Sequence, residues 1–368
     1  MLEALLEINW APILLTSMLH LQTEEFRNAI SDIRHDIEVF DVMPSFEGLS
    51  GRQNKRRQSH FLLQYIKELN PSHVLIPTFD GLAVPLAFQR RVHRRRSLPP
   101  TTGVVHNLSF GYEDCGISKR IRTAIDGFAI RRSGLKTLFF VDDIAYESAS
   151  KTIETPKCIH LPDPVAAAGP IPHCTARERL GLPSDRFYVG VIGYLNRRKG
   201  VDLVLKGFAS SVESLPKQAT LLLAGKPSDE IRKLLRSYQG LIETNKIIIV
   251  DELLEYNQLP LYLQACDVVA TIYPGHHGIA SFLLRAVLAG RPVIGLADGW
   301  VGQMIERYGL GWTIDHADSR SVALGLTKSI SESDFKLDRC EELHKRHHPV
   351  YFKRAIQSAV AAKKGLKS

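Results

Sequence analysis

An α/β architecture built on doubly wound parallel sheets is predicted by three observations. Short apolar, β-branched runs alternate with segments of helical periodicity along the whole chain. That alternation pauses at a Pro/Ala/Gly tract, Pro162 to Pro172, and then restarts. In the second half, Val268 to Ile272 is apolar or β-branched throughout, and Pro274 and Gly275 break it before Gly278 to Leu288 takes up helical spacing. A strand of that kind has both faces covered, and helices crossing over a parallel sheet supply the cover.

The elements come in this order. In the first half, Pro12 to Thr16, Ile37 to Val42, His73 to Pro77, Thr102 to His106, Thr137 to Val141 and Cys158 to Leu161 read as strands. Gln22 to Ile33, Gln53 to Leu69, Leu82 to His93, Lys119 to Arg131 and Ile144 to Lys151 read as the helices between them. In the second half, Tyr188 to Ile192, Thr220 to Ala224, Lys246 to Val250 and the run at Val268 are strands, and Pro292-Val293-Ile294 starts another. Gly200 to Ser211, Ser228 to Ser237, Leu259 to Gln264, Trp300 to Tyr308 and Arg320 to Ser331 are helices, and Gly290 stands where a helix C-cap is expected. The last amphipathic stretch, Val350 to Ala362, has no strand after it. The expected domains are 1–165, 176–345 and a terminal helical segment 346–368.

Composition narrows the class. A chain of 368 residues with 44% hydrophobic and 23% charged residues can form two full cores. Five scattered cysteines, Cys115, Cys158, Cys174, Cys266 and Cys340, have neither disulfide-framework nor metal-site spacing, which fits a reducing cytoplasm. Glu3 and Glu7 stand where a secretory signal would carry basic residues, and no apolar run has the length of a membrane span.

The net charge of +8 is concentrated. Between Arg52 and Lys136 stand sixteen Lys/Arg against five Asp/Glu, densest at Lys55-Arg56-Arg57, Arg90-Arg91, Arg94-Arg95-Arg96, Lys119-Arg120, Arg122 and Arg131-Arg132. Any one cluster reads as a solvated helix face; together they point to an anionic partner. An anionic membrane surface or a lipid-linked diphosphate ranks first, since no nucleic-acid motif accompanies the charge. The aromatics of this region, Phe61, Tyr65, Phe88 and Phe128, have the spacing of core residues.

Three loops at strand ends are the candidates to carry the chemistry. Gly193-Tyr-Leu-Asn-Arg-Arg-Lys-Gly200 joins a strand to a helix start, and Gly225-Lys226 comes after the next strand. A glycine-bounded basic loop before a helix N-terminus is an anion cradle. The loop after Val268 to Ile272 opens a helix in the same way, at the carboxyl end of a parallel strand where doubly wound sheets bind ligands. His276-His277 are neighbours whose side chains diverge and so do not share a metal ion. Asp142-Asp143 reads as a strand-end or cap pair.

Pro274, Gly278, Ala286, Gly290, Pro292 and Val293 fit the frame of a known donor-site element. In this the chain resembles the retaining GT-B glycosyltransferases that use nucleotide sugars, the glycosyl transferases group 1 type. The resemblance runs from about Phe187 to Asp315; the first half shares the architecture alone. It implies two Rossmann-like domains facing a cleft, with the final helix crossing back to the first domain. Lys199-Gly200 fits directly, and with Tyr194 after the first glycine, Arg197 or Arg198 supplies the second cation on the donor diphosphate. Gly193, Gly225, Lys226, Gly278 and Ile279 would border the donor, by the resemblance a UDP- or GDP-type sugar. Both glutamates of the family's pattern are replaced, by His277 and by Arg285 eight residues on, a spacing that lets both occupy one helix face. His277 can still bond a sugar hydroxyl, whereas Arg285 cannot accept from ribose as Glu does.

Further sites come through the same resemblance. Gly299-Trp-Val-Gly302-Gln303 fits a helix start that meets donor phosphate through backbone N–H groups. His106, at a strand end, matches a His near the reacting carbon; Asp80-Gly81 matches an acceptor-side turn, with helix capping as the plain account of Asp80. The family's glycine-rich acceptor loop has no counterpart in Ser17 to Gln22. The implied catalytic set is His106, Lys199 and Arg198, with no metal. The implied activity is sugar transfer to a glycan or lipid-linked acceptor. The alternatives are a non-catalytic relative that binds a sugar nucleotide or glycan, and a sugar-nucleotide epimerase.

Overall fold

The computed structural model describes residues 1–16, 24–41, 51–92, 98–108, 110–112, 116–165, 169 and 171–361. Ser17 to Gln22, Arg94-Arg95-Arg96 and Cys115 lie outside them. The chain divides into two compact units, Met1–Pro164 with Pro349–Ser368, and Val165–His348.

The first unit holds β1 (Ile13–Thr16), β2 (Glu38–Asp41), β3 (Val74–Ile76), β4 (Thr101–Val105), β5 (Thr137–Phe140) and β6 (Lys157–His160). β1 and β2 pair in parallel, and β3-β4-β5-β6 form a parallel sheet in sequence order. Its core is the apolar set that the strands predict, with Leu86, Ile130, Leu138 and Phe140 buried between sheet and helices. The expected helix at Gln22 to Ile33 is shorter, Glu24–Ile30, and passes into a 3-10 turn, Ser31–Asp36, whose Ser and Asp residues favour local turns over a continued α-helix. Asp142 caps the helix Asp143–Thr152 by accepting the Ala145 N–H at 3.0 Å, as the adjacent acids suggest. The helix Pro349–Ala361 packs on Leu2–Leu6, with Gln357 Nε2 donating to the Ala4 carbonyl and Lys353 bonding Glu7.

The second unit holds β7 (Phe187–Ile192), β8 (Ala219–Ala224), β9 (Ile247–Val250), β10 (Val268–Thr271), β11 (Val293–Leu296) and β12 (Gly311–Ile314). All pair in parallel in the order β12-β11-β10-β7-β8-β9, so the winding reverses between β7 and β10. β12 is absent from the sequence expectation: Gly311-Trp-Thr-Ile is too short and too mixed for its pattern to show, and it is a strand because it pairs with β11. At the amino edge of the sheet, Asp267 accepts the Tyr188 N–H at 2.6 Å and the Arg177 guanidinium at 2.5 Å. This fastens the helix His173–Arg179 to the sheet. Among the described residues no helix is long and apolar enough to cross a membrane.

The expectation of core aromatics in the basic half needs correction. Phe88 and Phe128 are not core residues; they are 59% and 54% exposed. Phe61 and Tyr65 are half-buried. Spacing alone does not say which face of a helix meets the sheet, and here the small residues Gly127 and Ala129 with Ile130 turn inward.

Candidate functional site

At the carboxyl end of β7 the chain turns at Gly193, whose φ is +93°. A Cβ there would lie 2.7 Å from both Lys199 Nζ and the Phe282 ring, so only glycine leaves room for the lysine behind it. Asn196 accepts the Lys199 N–H at 3.1 Å and closes the 3-10 turn Arg197–Lys199, and the helix Val201–Ser211 begins after Gly200. This turn drives the Lys199 side chain inward until the residue is 7% exposed. Its ammonium donates to the Ile192 carbonyl at 2.6 Å and stands 3.6 Å from the centre of the Phe282 ring. Among the described residues no carboxylate pairs with it. Burial, and then the neighbouring Arg198 charge, push Lys199 down to about 7.

The two arginines of the loop part company. Arg198 is exposed and leans over the buried Tyr273 ring at 5.7 Å, towards the loop after β10. Arg197 turns away to Glu230 at 3.3 Å and Asp202 at 4.0 Å. Next to this turn, Gly225 follows β8 with φ +138°, and a Cβ there would overlap the Gly193 carbonyl oxygen. Lys226 is exposed, and its carbonyl accepts the Leu195 N–H at 2.9 Å.

On the other side of the switch point, Tyr273 to Ala280 forms a loop, and the helix runs only over Ser281–Leu288. His277 therefore precedes the helix, and the expectation that His277 and Arg285 share a helix face does not hold. The imidazole of His277 is nearly buried, with Nδ1 3.7 Å from the Asp298 carboxylate, and its carbonyl accepts the Trp300 N–H at 2.7 Å. Gly278 and Ile279 are half-buried in the loop, where the Ile279 carbonyl lies 3.1 Å from His276 Nε2. Arg285 lies over the Tyr256 ring at 4.3 Å and borders a small crevice with Leu259, Leu263 and Leu288. Gly302 sits inside the helix Gly299–Tyr308, where a Cβ would collide with the Ala297 carbonyl; it sets how closely the helix approaches the end of β11.

Lys199, Arg198, Gly193 and the loop carrying His277 thus gather at the carboxyl ends of β7 and β10, and Arg197 and Arg285 point elsewhere. Phe282, Tyr273, Asn196 and Asp298 take part without having been singled out. Only Asn196 had a legible signal, an Asn three residues before the end of a turn.

In the first unit, Asp80 accepts the N–H groups of His106, at 3.0 Å, and Asn107, at 2.8 Å. Its carboxylate ties the loops after β3 and β4 together and does not serve as a helix cap. The His106 ring lies 2.9 Å from the Pro77 carbonyl through Nε2. Among the described residues no cluster of three or more His, Cys, Asp or Glu is placed to hold a metal ion.

A parallel sheet of this order, with a glycine-bounded cationic loop at its switch point, is a doubly wound sheet of the kind that binds nucleotides. Residues 174–347, almost the whole second unit, match the family described as Glycosyl transferases group 1. A D-inositol 3-phosphate glycosyltransferase of Corynebacterium urealyticum is 26% identical over 170 residues, 45% of this chain and 40% of that protein, so the match spans under half of the relative. Among solved structures, HepE of Anabaena in complex with UDP and glucose superposes with a TM-score of 0.66 at 14% identity, covering 96% of this chain and 99% of that one. Sucrose-phosphate synthase from Thermosynechococcus elongatus gives 0.67 at 14% identity, covering 97% and 90%. At such identities the likeness is one of fold: this chain has the GT-B fold.

Proposed function

We propose that the protein transfers a sugar, with retention at the anomeric carbon, from a nucleoside diphosphate sugar to a glycan or lipid-linked acceptor. The reaction breaks the bond between the anomeric carbon and a phosphate oxygen, and negative charge gathers on the departing diphosphate. The observation that carries this reading is Lys199: a buried ammonium with a carbonyl and an aromatic face as partners, at the strand end where the winding reverses. A bound diphosphate would supply the counter-charge, and a preorganised cation of this kind is worth about 3–4 kcal/mol of barrier. Arg198, exposed beside it, is the second cation, in the role a metal ion takes in other transferases. Arg197 is engaged with Glu230 and Asp202, so we assign it no contact with the donor.

Gly193 and Gly225 let the backbone approach the diphosphate, and the helix start at Gly299 lies beside the His277 loop. We give His277 a sugar hydroxyl, and to Asp80 and His106 a part on the acceptor side, where Asp80 holds the His106 backbone in place. The pathway we favour is surface polysaccharide or glycoconjugate assembly in the cytoplasm.

Calorimetric titration with UDP, GDP and ADP tests the reading; UDP comes first because HepE was solved with it. Saturable binding of one diphosphate is expected, lost in Lys199→Ala while the fold is kept. A folded protein that binds none of them rejects the donor reading. A second reading, a relative that binds a sugar nucleotide without turning it over, is favoured by Arg285, which lies on Tyr256 where the family has a ribose-binding Glu. Binding without consumption of any nucleotide sugar would select it.

A further inference from the structure

The helix Gly116–Ser133 is apolar on the side that faces solvent. Ile117, Ile121, Ile125 and Phe128 are 76%, 57%, 52% and 54% exposed. At about 100° per residue these four fall within roughly one quarter of the helix surface. The opposite side is the packed one, with Asp126, Gly127, Ala129, Ile130 and Ser133 buried. A surface helix normally turns its polar side outward, so this reversal needs a cause. The helix Ala83–Val92 packs alongside and adds Val84 and Phe88, four residues apart, at 44% and 59% exposure.

Charge identifies the occupant. Arg120 and Arg131 lie on one flank of the stripe, Arg122 on the other, and Arg132 at its carboxyl end, all exposed. The Arg132 guanidinium lies 3.7 Å over the Phe128 ring, its stem along the apolar surface and its charge at the edge. The helix has a single acid, Asp126, which is buried and lies 3.9 Å from Arg122, leaving Arg120 and Arg131 without an acid on this helix. An outward apolar ridge bordered by arginines matches a bilayer whose acyl region takes the ridge and whose anionic headgroups take the cations. Two copies meeting face to face through this ridge would bring arginine against arginine.

We propose that the outward face of Gly116–Ser133, with Val84 and Phe88 beside it, docks the protein on an anionic lipid bilayer, the four apolar side chains entering the acyl boundary. The proposal goes beyond the donor reading and does not depend on it.

Sedimentation of the full chain with vesicles tests it, with neither donor nor acceptor present. One set is phosphatidylcholine alone, and the other contains phosphatidylglycerol. Binding to the second set and not the first is expected, weakening as salt is raised. Ile121→Ser/Phe128→Ser should lower the partition about tenfold or more, and Arg120→Gln/Arg131→Gln should make the salt dependence shallower. Both variants alter exposed side chains, so melting temperature should be unchanged. In Phe128→Trp, emission should shift to the blue on adding anionic vesicles. A wild type that stays in the supernatant, or an apolar double variant that sediments as wild type does, would overturn the proposal. So would wild-type self-association that the double variant abolishes without any vesicle binding, which would assign the ridge to a second copy.

Discussion

At the residue scale, Lys199 shows how a local turn produces chemistry. Burial lowers its ammonium from 10.5 to about 7, with Arg198 adding to the effect. Below pH 7 the folded and unfolded chains both carry the proton, and the cost of burying the charge is present in full. Between about 7 and 10.5 only the unfolded chain keeps the proton. Ligand-free stability should therefore rise with pH in that window, by at most about 1.4 kcal/mol per pH unit. A bound diphosphate restores the charge, so binding above pH 7 should take up a proton and weaken as pH rises. Calorimetry at about pH 8 in two buffers of different ionisation enthalpy reads this directly; equal apparent enthalpies would count against Lys199 as the diphosphate contact. The Lys-Gly pair was legible in the sequence. The buried state of Lys199 was not, because it needs Phe282, which is remote along the chain and adjacent only through the sheet.

At the scale of elements, the ends of β7 and β8 form one unit of backbone. Gly193 and Gly225 are close enough that a single methyl on Gly225 would enter the space of the Gly193 carbonyl. Gly225→Ala should cost at least about 2 kcal/mol, measured by urea unfolding, and should also weaken diphosphate binding by moving the Gly193 turn. Unchanged stability would mean that the two strand ends separate easily. In the helix after β10, apolar spacing was readable from Gly278, but the first turn does not form until Ser281. The loop before it is held by the Trp300 N–H on the His277 carbonyl and by His277 beside Asp298, and these are contacts between segments distant in sequence.

At the scale of the whole molecule, the chain returns to its first unit at the end. Pro349–Ala361 covers Leu2–Leu6, burying Ala4, Ile356 and Val360. Removing residues 349–368 should lower the unfolding temperature of the first unit and leave the transition of the second in place. Differential scanning calorimetry would show one of two transitions moving; a shift of both, or of neither, would contradict the division. Diphosphate binding by the shortened chain should persist, since Lys199 and its neighbours all belong to Val165–His348.

The sequence by itself determined the alternation of strands and helices, the restart after Pro162, and the glycine-bounded basic loop, because apolar periodicity and turn residues act over a few positions. It also marked Asp142-Asp143 as a strand-end or cap pair, and the structure selects Asp142 as the cap, a contact three residues long. Only the tertiary structure decided that β12 is a strand, that Arg197 and Arg285 turn away from Lys199, and that Phe88 and Phe128 face outward. Each of these depends on which face of an element meets its neighbour, and that choice is made by packing across the sheet, where the partners are remote in sequence.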